Sequence, residues 1–408
     1  LQMFLSGLEA HGLELGLRDR KSLILLAYSG LLPGAVGVLL PVAFGYDLMK
    51  AAFVGATLMS SSILLVFVLV DHNVRSGSIA RRAKVHGIPV FSLYGEVRRP
   101  TAEMLDHFDV LLVDLQDLGC RIYTFITTLR YLLEAAAKHD KHVILLDRPN
   151  PAGRPVEGLI LQPGWESFVG AGPMPMRHGL TMGEMGRWFI ETLGLDVEYD
   201  VIGMDGWQPT AAPGYGWPLN ERSWVNPSPN APNLWMARCY AGTVMLEGTN
   251  LSEGRGTTRP LELFGAPDID SGKLLSVMEQ IAPRWMEGCI LRECWFEPTF
   301  QKHAGALCAG IQIHTEGAGY DHQAFRPWRL MALAFKALRR IQPEYNLWRD
   351  FPYEYEHEQL AIDLINGSDL LRLWVDDDNA VPADLETVAL EDEIRWQDAC
   401  AAVLAYSG

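Results

Sequence analysis

The densest group of reactive side chains lies in one short segment, residues 247–259. Carboxylates can exchange protons, an arginine can grip a carboxylate through two parallel hydrogen bonds, and glycines let the backbone approach a ligand closely. A solvated turn with local ion pairs is the alternative. We favour a carboxylate-based site with polar, sugar-like recognition. The candidate side chains of this segment are Glu247, Asn250, Glu253, Arg255 and Arg259.

A second polar cluster contains Asp114, Gln116, Asp117, Arg121 and Tyr123. Two carboxylates at this spacing can raise the pKa of one of them and so create a general acid. The alternative is structural, because an aspartate often caps the helix that follows it. The pattern favours a functional role for Asp117 and leaves both readings open for Asp114.

Two smaller groups complete the set of candidate residues. Arg148 and Asn150 follow an apolar run, and Arg148 could hold a substrate carboxylate or pair with Asp147 or Glu157. His178 stands just before the start of a predicted helix. A lone histidine is usually structural, but this one follows an arginine and precedes a glycine turn.

Several classes of protein are disfavoured. The histidines show neither HxxxH nor HExxH spacing, so we expect no metal. GxSxG is absent, and no GxGxxG follows a strand, which argues against a serine nucleophile and a dinucleotide cofactor. The net charge of −16 argues against nucleic acid. The six cysteines form no CxxC pair, and buried free thiols are expected, although Cys289 and Cys294 are close enough to consider a bridge.

The elements that must position these residues alternate between strand and helix, which predicts a parallel sheet with helices on its faces. Ligands bind beyond the carboxyl ends of such strands, so Asp114–Arg121 and Asp147–Asn150 should face one crevice. Thr181 and Glu184 predict a capping box for the third helix. The predicted strands cover residues 90–93, 110–115, 142–146 and 197–202. The predicted helices cover residues 102–108 and 123–138 and begin again at 181.

A Pro-, Gly- and Trp-rich stretch over residues 203–232 predicts a domain transition. We therefore expect an α/β domain over residues 1–203 and a smaller α/β domain over 204–408, which carries the 247–259 segment. In the second domain we expect strands at residues 242–246, 291–296 and 309–314. The helices expected there cover residues 274–281, 329–341 and 385–404.

The first 85 residues are unusual. Residues 23–46 and 51–70 are apolar enough to span a bilayer, which makes a membrane hairpin over residues 22–70 an alternative. Glycine and proline interrupt the first stretch, so we prefer buried strands at residues 23–27 and 63–70. The start does not resemble a signal peptide, and the free thiols suit a reducing compartment, which favours the cytoplasm over export.

Taken together, the motifs resemble the exo-β-N-acetylmuramidase (NamZ) family, formerly a family of unknown function. The likeness extends over about residues 88–330. The matching motifs are Ser92-Leu93-Tyr94-Gly95-Glu96, Arg99-Pro100-Thr101, Asp114-Leu115-Gln116-Asp117-Leu118-Gly119 with Arg121 and Tyr123, Asp147-Arg148-Pro149-Asn150-Pro151, Arg177-His178-Gly179-Leu180-Thr181, Pro227-Ser228-Pro229-Asn230, residues 247–259, and Pro298-Thr299-Phe300.

The resemblance implies a Rossmann-like domain joined to a smaller α/β domain, with the active site between them. It implies release of N-acetylmuramic acid from the non-reducing end of peptidoglycan fragments, without a metal or organic cofactor. Residues 70–77 resemble a weakened form of the family's histidine–glycine loop, with His72 and Arg75 at matching positions and Asn73 in place of glycine.

Our hypothesis is that Glu253 and Asp117 supply the acid–base or nucleophilic carboxylates, with Glu247 in reserve. Arg148 or Arg255 would hold the lactyl carboxylate of the substrate. An inactive sugar- or muropeptide-binding protein is the alternative, because the N-terminal loop departs from the family. The remaining residues expected to hold the sugar are His178, His72, Arg75, Asp114, Arg121, Tyr123, Asn150, Asn230, Asn250 and Arg259.

Overall fold

The structure is a computed structural model that describes residues 90–93, 97–219, 221–354 and 356–406. The predictions for residues 22–70, together with His72 and Arg75, lie outside this part. Leu93–Gly408 form one compact unit. The predicted division between residues 203 and 204 falls inside that unit and stays a prediction.

The described residues alternate between helices and strands, as the sequence predicts. In chain order these elements are α1 (Ala102–Leu105), β1 (Val110–Val113), α2 (Phe125–Lys138), β2 (His142–Leu146), α3 (Met182–Leu193), β3 (Tyr199–Ile202), α4 (Leu234–Thr243), β4 (Leu263–Ala266), α5 (Ser271–Ile281), β5 (Ile290–Phe296), β6 (Cys308–His314), α6 (Pro327–Ile341), α7 (Ala361–Asn366), α8 (Leu370–Asp376) and α9 (Pro382–Cys400). Short 3₁₀ helices cover Val244–Gly248, Pro283–Met286 and Gly317–Gly319.

Strands β1, β2 and β3 form a parallel sheet in that order. Val110 pairs with His142, and Val143 pairs with Tyr199. Helices α2 and α3 connect the strands, which confirms the predicted parallel α/β arrangement. The polar segments after β1 and β2 therefore leave the sheet at the same edge, where parallel sheets bind their ligands.

Helix α3 begins with the predicted capping box. The Thr181 hydroxyl accepts a hydrogen bond from the Glu184 backbone N–H, and the Glu184 carboxylate accepts one from the Thr181 N–H. This satisfies two N–H groups that would otherwise lack partners at the helix start. Because the cap fixes where α3 begins, it also fixes the turn that carries His178, three residues earlier.

The second sheet is antiparallel, with β6 between β4 and β5. Phe264 of β4 lies opposite Ile311 of β6, and both are fully buried. Helix α6, most of which is buried, packs against α4 and α5 and forms the core beside the second sheet. The predicted strands at 291–296 and 309–314 are confirmed within a residue at each start.

Two predicted strands are wrong. Residues 242–246 lie at the end of α4 and in the following 3₁₀ helix, and residues 90–93 have no regular structure. The Asn233 side chain caps α4 by accepting a hydrogen bond from the Met236 N–H at 2.8 Å. Nearly every side chain of α4 is buried. A short apolar run without alternation fits a buried helix as well as a buried strand, so only packing could decide.

All six cysteines are free, and all but Cys289 are buried, as the sequence predicts. Within the part of the chain that the structure describes, no helix is long and apolar enough to cross a membrane.

Candidate active site

The 247–259 segment folds into a network of alternating charges. The Glu253 carboxylate accepts a hydrogen bond from Arg255 Nε at 2.8 Å, and another nitrogen of the same guanidinium binds Glu247. Arg255 thus bridges the two carboxylates. The Glu247 side chain is 21% exposed and that of Glu253 only 3%. Glu247 is therefore the member of the pair that solvent or a ligand can reach.

Two residues outside the segment complete the network. Lys302 Nζ lies 2.8 Å from Glu253 Oε2 and donates to the carbonyl oxygens of Leu246 and Thr249. The Tyr353 hydroxyl donates to Glu247 Oε2 at 2.8 Å. Sequence reasoning missed both residues. The only local signal was the position of Lys302 two residues after the Pro298-Thr299-Phe300 motif.

The electrostatics of Glu253 favour its ionised form. Burial by itself would raise the pKa of this carboxyl, but the charges of Lys302 and Arg255 outweigh burial and hold its pKa below the usual value. Burial lowers the pKa of Lys302, and the neighbouring carboxylates only partly oppose this. An ionised carboxylate such as that of Glu253 is suited to accept a proton, to act as a nucleophile or to stabilise developing positive charge.

The backbone of the segment is fixed by the second sheet. Ser252 and Gly265 of β4 exchange two backbone hydrogen bonds of 2.8 and 3.0 Å, and the Leu261 N–H donates to the Glu253 carbonyl. Gly254 has a φ of 70°, and an added Cβ would lie 2.4 Å from a methyl group of Leu263. The glycine is therefore required at this turn by both conformation and space.

Asp117 and His178 form the second chemical pair. His178 Nε2 lies 3.3 Å from Asp117 Oδ2, and both side chains are buried. The Leu180 N–H donates to His178 Nδ1, so a neutral ring carries its proton on Nε2, which makes no hydrogen bond within the described residues. The Gly119 N–H also donates to Asp117 Oδ2, at 2.6 Å. Asp117 Oδ1 accepts no hydrogen bond within the described residues and retains its capacity to bind a polar group.

The Cys120 thiol is influenced by one carboxylate from each group, Asp117 and Glu247. Burial raises the pKa of the Cys120 thiol to about 12, and the negative charges of Asp117 and Glu247 both contribute. Next to it, the rings of Tyr123 and Tyr240 meet edge to face at 6.1 Å. The structure therefore brings residues from the parallel-sheet half and from the 247–259 segment into one neighbourhood.

Other predicted residues take more structural positions. Arg121 is fully buried, and its guanidinium donates to the carbonyl oxygens of Leu159, Met174 and Ile365. A guanidinium with these partners holds three chain segments together. Asn150 is also buried, and its side chain joins the Ala152 N–H to the Leu180 carbonyl.

Arg148 and Arg259, the two predicted arginines nearest the surface among the described residues, each bind a carboxylate. Arg148 binds both carboxylate oxygens of Asp114, rather than the Asp147 or Glu157 partners considered from the sequence. Arg259 binds Glu262 at 2.7 Å, and this contact raises the pKa of Arg259. The Arg148 side chain is 32% exposed and that of Arg259 is 38% exposed. Both can therefore be approached from solvent.

Two predicted asparagines lie outside the helices and strands. The Asn250 side chain donates to the Asn346 carbonyl at 2.7 Å, and the backbone carbonyl of Asn250 contacts His303 Nε2. Asn230 is half-buried in the turn before α4. His303 follows Lys302 directly. The turn that carries these two residues therefore contacts the 247–259 segment at two points, Glu253 and Asn250.

The fold and the site define an α/β protein with a parallel and an antiparallel sheet, whose antiparallel sheet holds a carboxylate–guanidinium network. Residues 69–235 match the description "Exo-beta-N-acetylmuramidase NamZ, N-terminal", and residues 238–406 match "Exo-beta-N-acetylmuramidase NamZ, C-terminal". The chain belongs to the exo-β-N-acetylmuramidase NamZ family.

A curated relative is the peptidoglycan β-N-acetylmuramidase NamZ of Bacillus subtilis (strain 168), which is 39% identical over 259 residues. The match covers 63% of this chain and 60% of that relative. A solved DUF1343 family protein of Bacteroides fragilis NCTC 9343 has a TM-score of 0.69 and 27% identity, over 79% of this chain and 81% of the other. A second such protein, at 24% identity and a TM-score of 0.60, covers 79% of this chain and 80% of its own, and shares the fold.

Proposed function

We propose that this protein is an exo-β-N-acetylmuramidase, which releases N-acetylmuramic acid from the non-reducing end of peptidoglycan fragments. The observation that carries the proposal is the Glu247–Arg255–Glu253 network in a chain of this family. Paired carboxylates are the usual catalytic groups of glycosidases. The Bacillus subtilis relative is a peptidoglycan β-N-acetylmuramidase, which agrees with this activity.

The catalytic residues in this proposal are Glu253, Asp117 and His178. Glu253 supplies an ionised carboxylate, because Lys302 and Arg255 hold it in that form. His178 orients Asp117 through the 3.3 Å contact between Nε2 and Oδ2. Glu247 is the exposed carboxylate of the network and is the second candidate for contact with the sugar.

The remaining polar groups recognise the substrate. N-acetylmuramic acid carries a lactyl carboxylate, and an arginine fork is the group best suited to bind it. Arg148 is better placed for this than Arg255, because Arg255 already binds two carboxylates and its side chain is 17% exposed, against 32% for Arg148. Displacing Asp114 from Arg148 would free both guanidinium hydrogen bonds for the substrate.

The test uses two substrates, a nitrophenyl β-glycoside of N-acetylmuramic acid and the disaccharide with N-acetylmuramic acid at its non-reducing end. We expect wild-type protein to hydrolyse both. Glu253→Gln and Glu247→Gln remove one charge each without changing size. Glu253→Gln should lower kcat/KM by about 10²-fold or more, the range typical of a lost catalytic carboxylate.

The matched control is Glu279→Gln, the same change at an exposed position of α5. Its activity should equal that of wild type. A wild-type protein that binds N-acetylmuramic acid but cleaves neither substrate would identify a binding protein instead. Full activity of Glu253→Gln would refute the role of Glu253, and loss of activity in Glu247→Gln alone would move that role to Glu247.

A further inference from the structure

Phe300 is a large apolar residue at the surface and has no role so far. It is 46% exposed. It belongs to the Pro298-Thr299-Phe300 motif, which opens a turn that closes where the Gly305 N–H donates to the Pro298 carbonyl at 2.8 Å. Single exposed apolar side chains are common on protein surfaces, so the surroundings of Phe300 decide whether it matters.

The turn over residues 298–305 is fastened to the 247–259 segment. Three contacts do this, which are Thr299 Oγ1 to the Gly256 carbonyl at 2.9 Å, Lys302 Nζ to Glu253 Oε2 at 2.8 Å, and His303 Nε2 to the Asn250 carbonyl at 2.7 Å. Gln301 and His303 have φ values of 69° and 58°, in the left-handed region that non-glycine residues seldom adopt. Such a conformation persists only where its surroundings enforce it. These contacts therefore fix where Phe300 lies relative to the network.

The Phe300 ring packs against Gly256, the residue that follows Arg255. A Cβ added to Gly256 would lie only 2.9 Å from Phe300 Cδ1. The lack of a side chain at Gly256 therefore lets the ring approach the backbone of the segment closely. Arg255 in turn bridges the two carboxylates of the network. An exposed aromatic ring and a charged network thus meet at neighbouring positions of the same segment.

We propose that Phe300 is a substrate-binding residue whose ring packs against the C–H face of a pyranose ring, a role that rests on the proposed function. The faces of such a sugar present C–H groups, whereas its rim carries hydroxyl groups that need hydrogen-bond partners. Sites for ligands of this kind combine aromatic walls with a few polar groups that fix orientation. Phe300 supplies the wall, and Glu247, the more exposed carboxylate of the network, supplies a polar group.

A ring that binds sugar without taking part in the chemistry should act on KM, and this provides the test. We expect Phe300→Ala to raise KM for the disaccharide by about tenfold or more and to leave kcat within about threefold of wild type. Phe300→Tyr keeps the ring and should restore KM to within about threefold of wild type. Phe300→Leu keeps an apolar side chain but loses the flat ring, so it should resemble Phe300→Ala.

The matched control is Leu307→Ala, which truncates an apolar residue that is 64% exposed and lies just beyond the same turn. Its KM and kcat should equal those of wild type. Thermal unfolding of each variant checks folding. If wild-type protein binds the disaccharide without cleaving it, calorimetry gives Kd for the wild type and for the same variants, and the same order of effects is expected.

The outcomes separate this role from the proposed function. Unchanged KM in Phe300→Ala, a Phe300→Tyr protein as impaired as Phe300→Ala, or full recovery in Phe300→Leu would overturn the assignment and leave the proposed function intact. Binding of the disaccharide that depends on the Phe300 ring, without cleavage, would support the assignment and overturn the proposed activity. A folded wild-type protein that neither binds nor cleaves the disaccharide would overturn both.

Discussion

Replacing Lys302 with methionine tests whether the buried network is what stabilises the 247–259 segment. The Lys302 side chain is 8% exposed, and its ammonium has three acceptors, which are Glu253 Oε2 and the carbonyls of Leu246 and Thr249. Methionine keeps most of the side-chain volume and removes the charge and all three donors. The carboxylate of Glu253 then remains buried with Arg255 as its only cation among the described residues.

The expected cost follows from these contacts. Removing one partner of a buried ion pair typically costs about 3–5 kcal/mol, because the other charge stays buried. The Leu246 carbonyl keeps the Thr249 N–H and hydroxyl as donors, so among the described residues only the Thr249 carbonyl loses its donor, which adds about 1 kcal/mol at the lower end of the usual range. The ion pair is the larger contribution. We therefore expect Lys302→Met to lower the free energy of unfolding by about 4–6 kcal/mol and to raise the pKa of Glu253.

Urea unfolding at neutral pH measures this difference, provided that the slope of the transition stays unchanged. The matched control is Lys273→Met at an exposed position of α5, which should change stability by less than about 0.5 kcal/mol. On a Glu253→Gln background, Lys302→Met should cost at least about 1 kcal/mol less than on wild type. Equal costs on the two backgrounds, or a Lys302→Met protein as stable as the control, would refute the reasoning.

Two further predictions concern pH and backbone conformation. Burial raises the pKa of Asp363 from 3.8 to about 6 despite its bond to Arg372. The protonated carboxyl therefore stabilises the fold fully below the pKa that Asp363 has in the unfolded chain, and this stabilisation is lost as the pH rises through about 6. Between about pH 4 and pH 7, the free energy of unfolding of Asp363→Asn should therefore rise by up to about 3 kcal/mol relative to that of wild type. Equal pH profiles of the two proteins in urea unfolding would contradict this. Gly119→Ala should destabilise more than Gly164→Ala by about 1–3 kcal/mol, because both have positive φ but only at Gly119 would the new methyl group collide, 2.2 Å from Asn150 Oδ1. The same substitution should disturb Asp117, which binds the Gly119 N–H, and equal unfolding temperatures for the two variants would exclude this packing argument.

Local patterns were read correctly where the deciding interaction is itself local. The capping box at Thr181 joins residues three apart, and the parallel sheet follows from the alternation of apolar runs with amphipathic helices. The apolar, aperiodic stretch at residues 242–246 predicts a strand, whereas the structure places it in α4 and the following 3₁₀ helix, because its burial depends on distant helices.

The sequence by itself determined which chemical groups are present in the 247–259 segment and the family to which the chain belongs. Tertiary structure decided the state and partners of those groups. Lys302 and Tyr353 reach the segment from 49 and 106 residues beyond Glu253 and Glu247 respectively. Arg121 lies among three buried carbonyls, and Arg148 binds Asp114 across neighbouring strands. The physical reason is that a charge acts over a few ångströms of space, and chain folding sets which residues occupy that space.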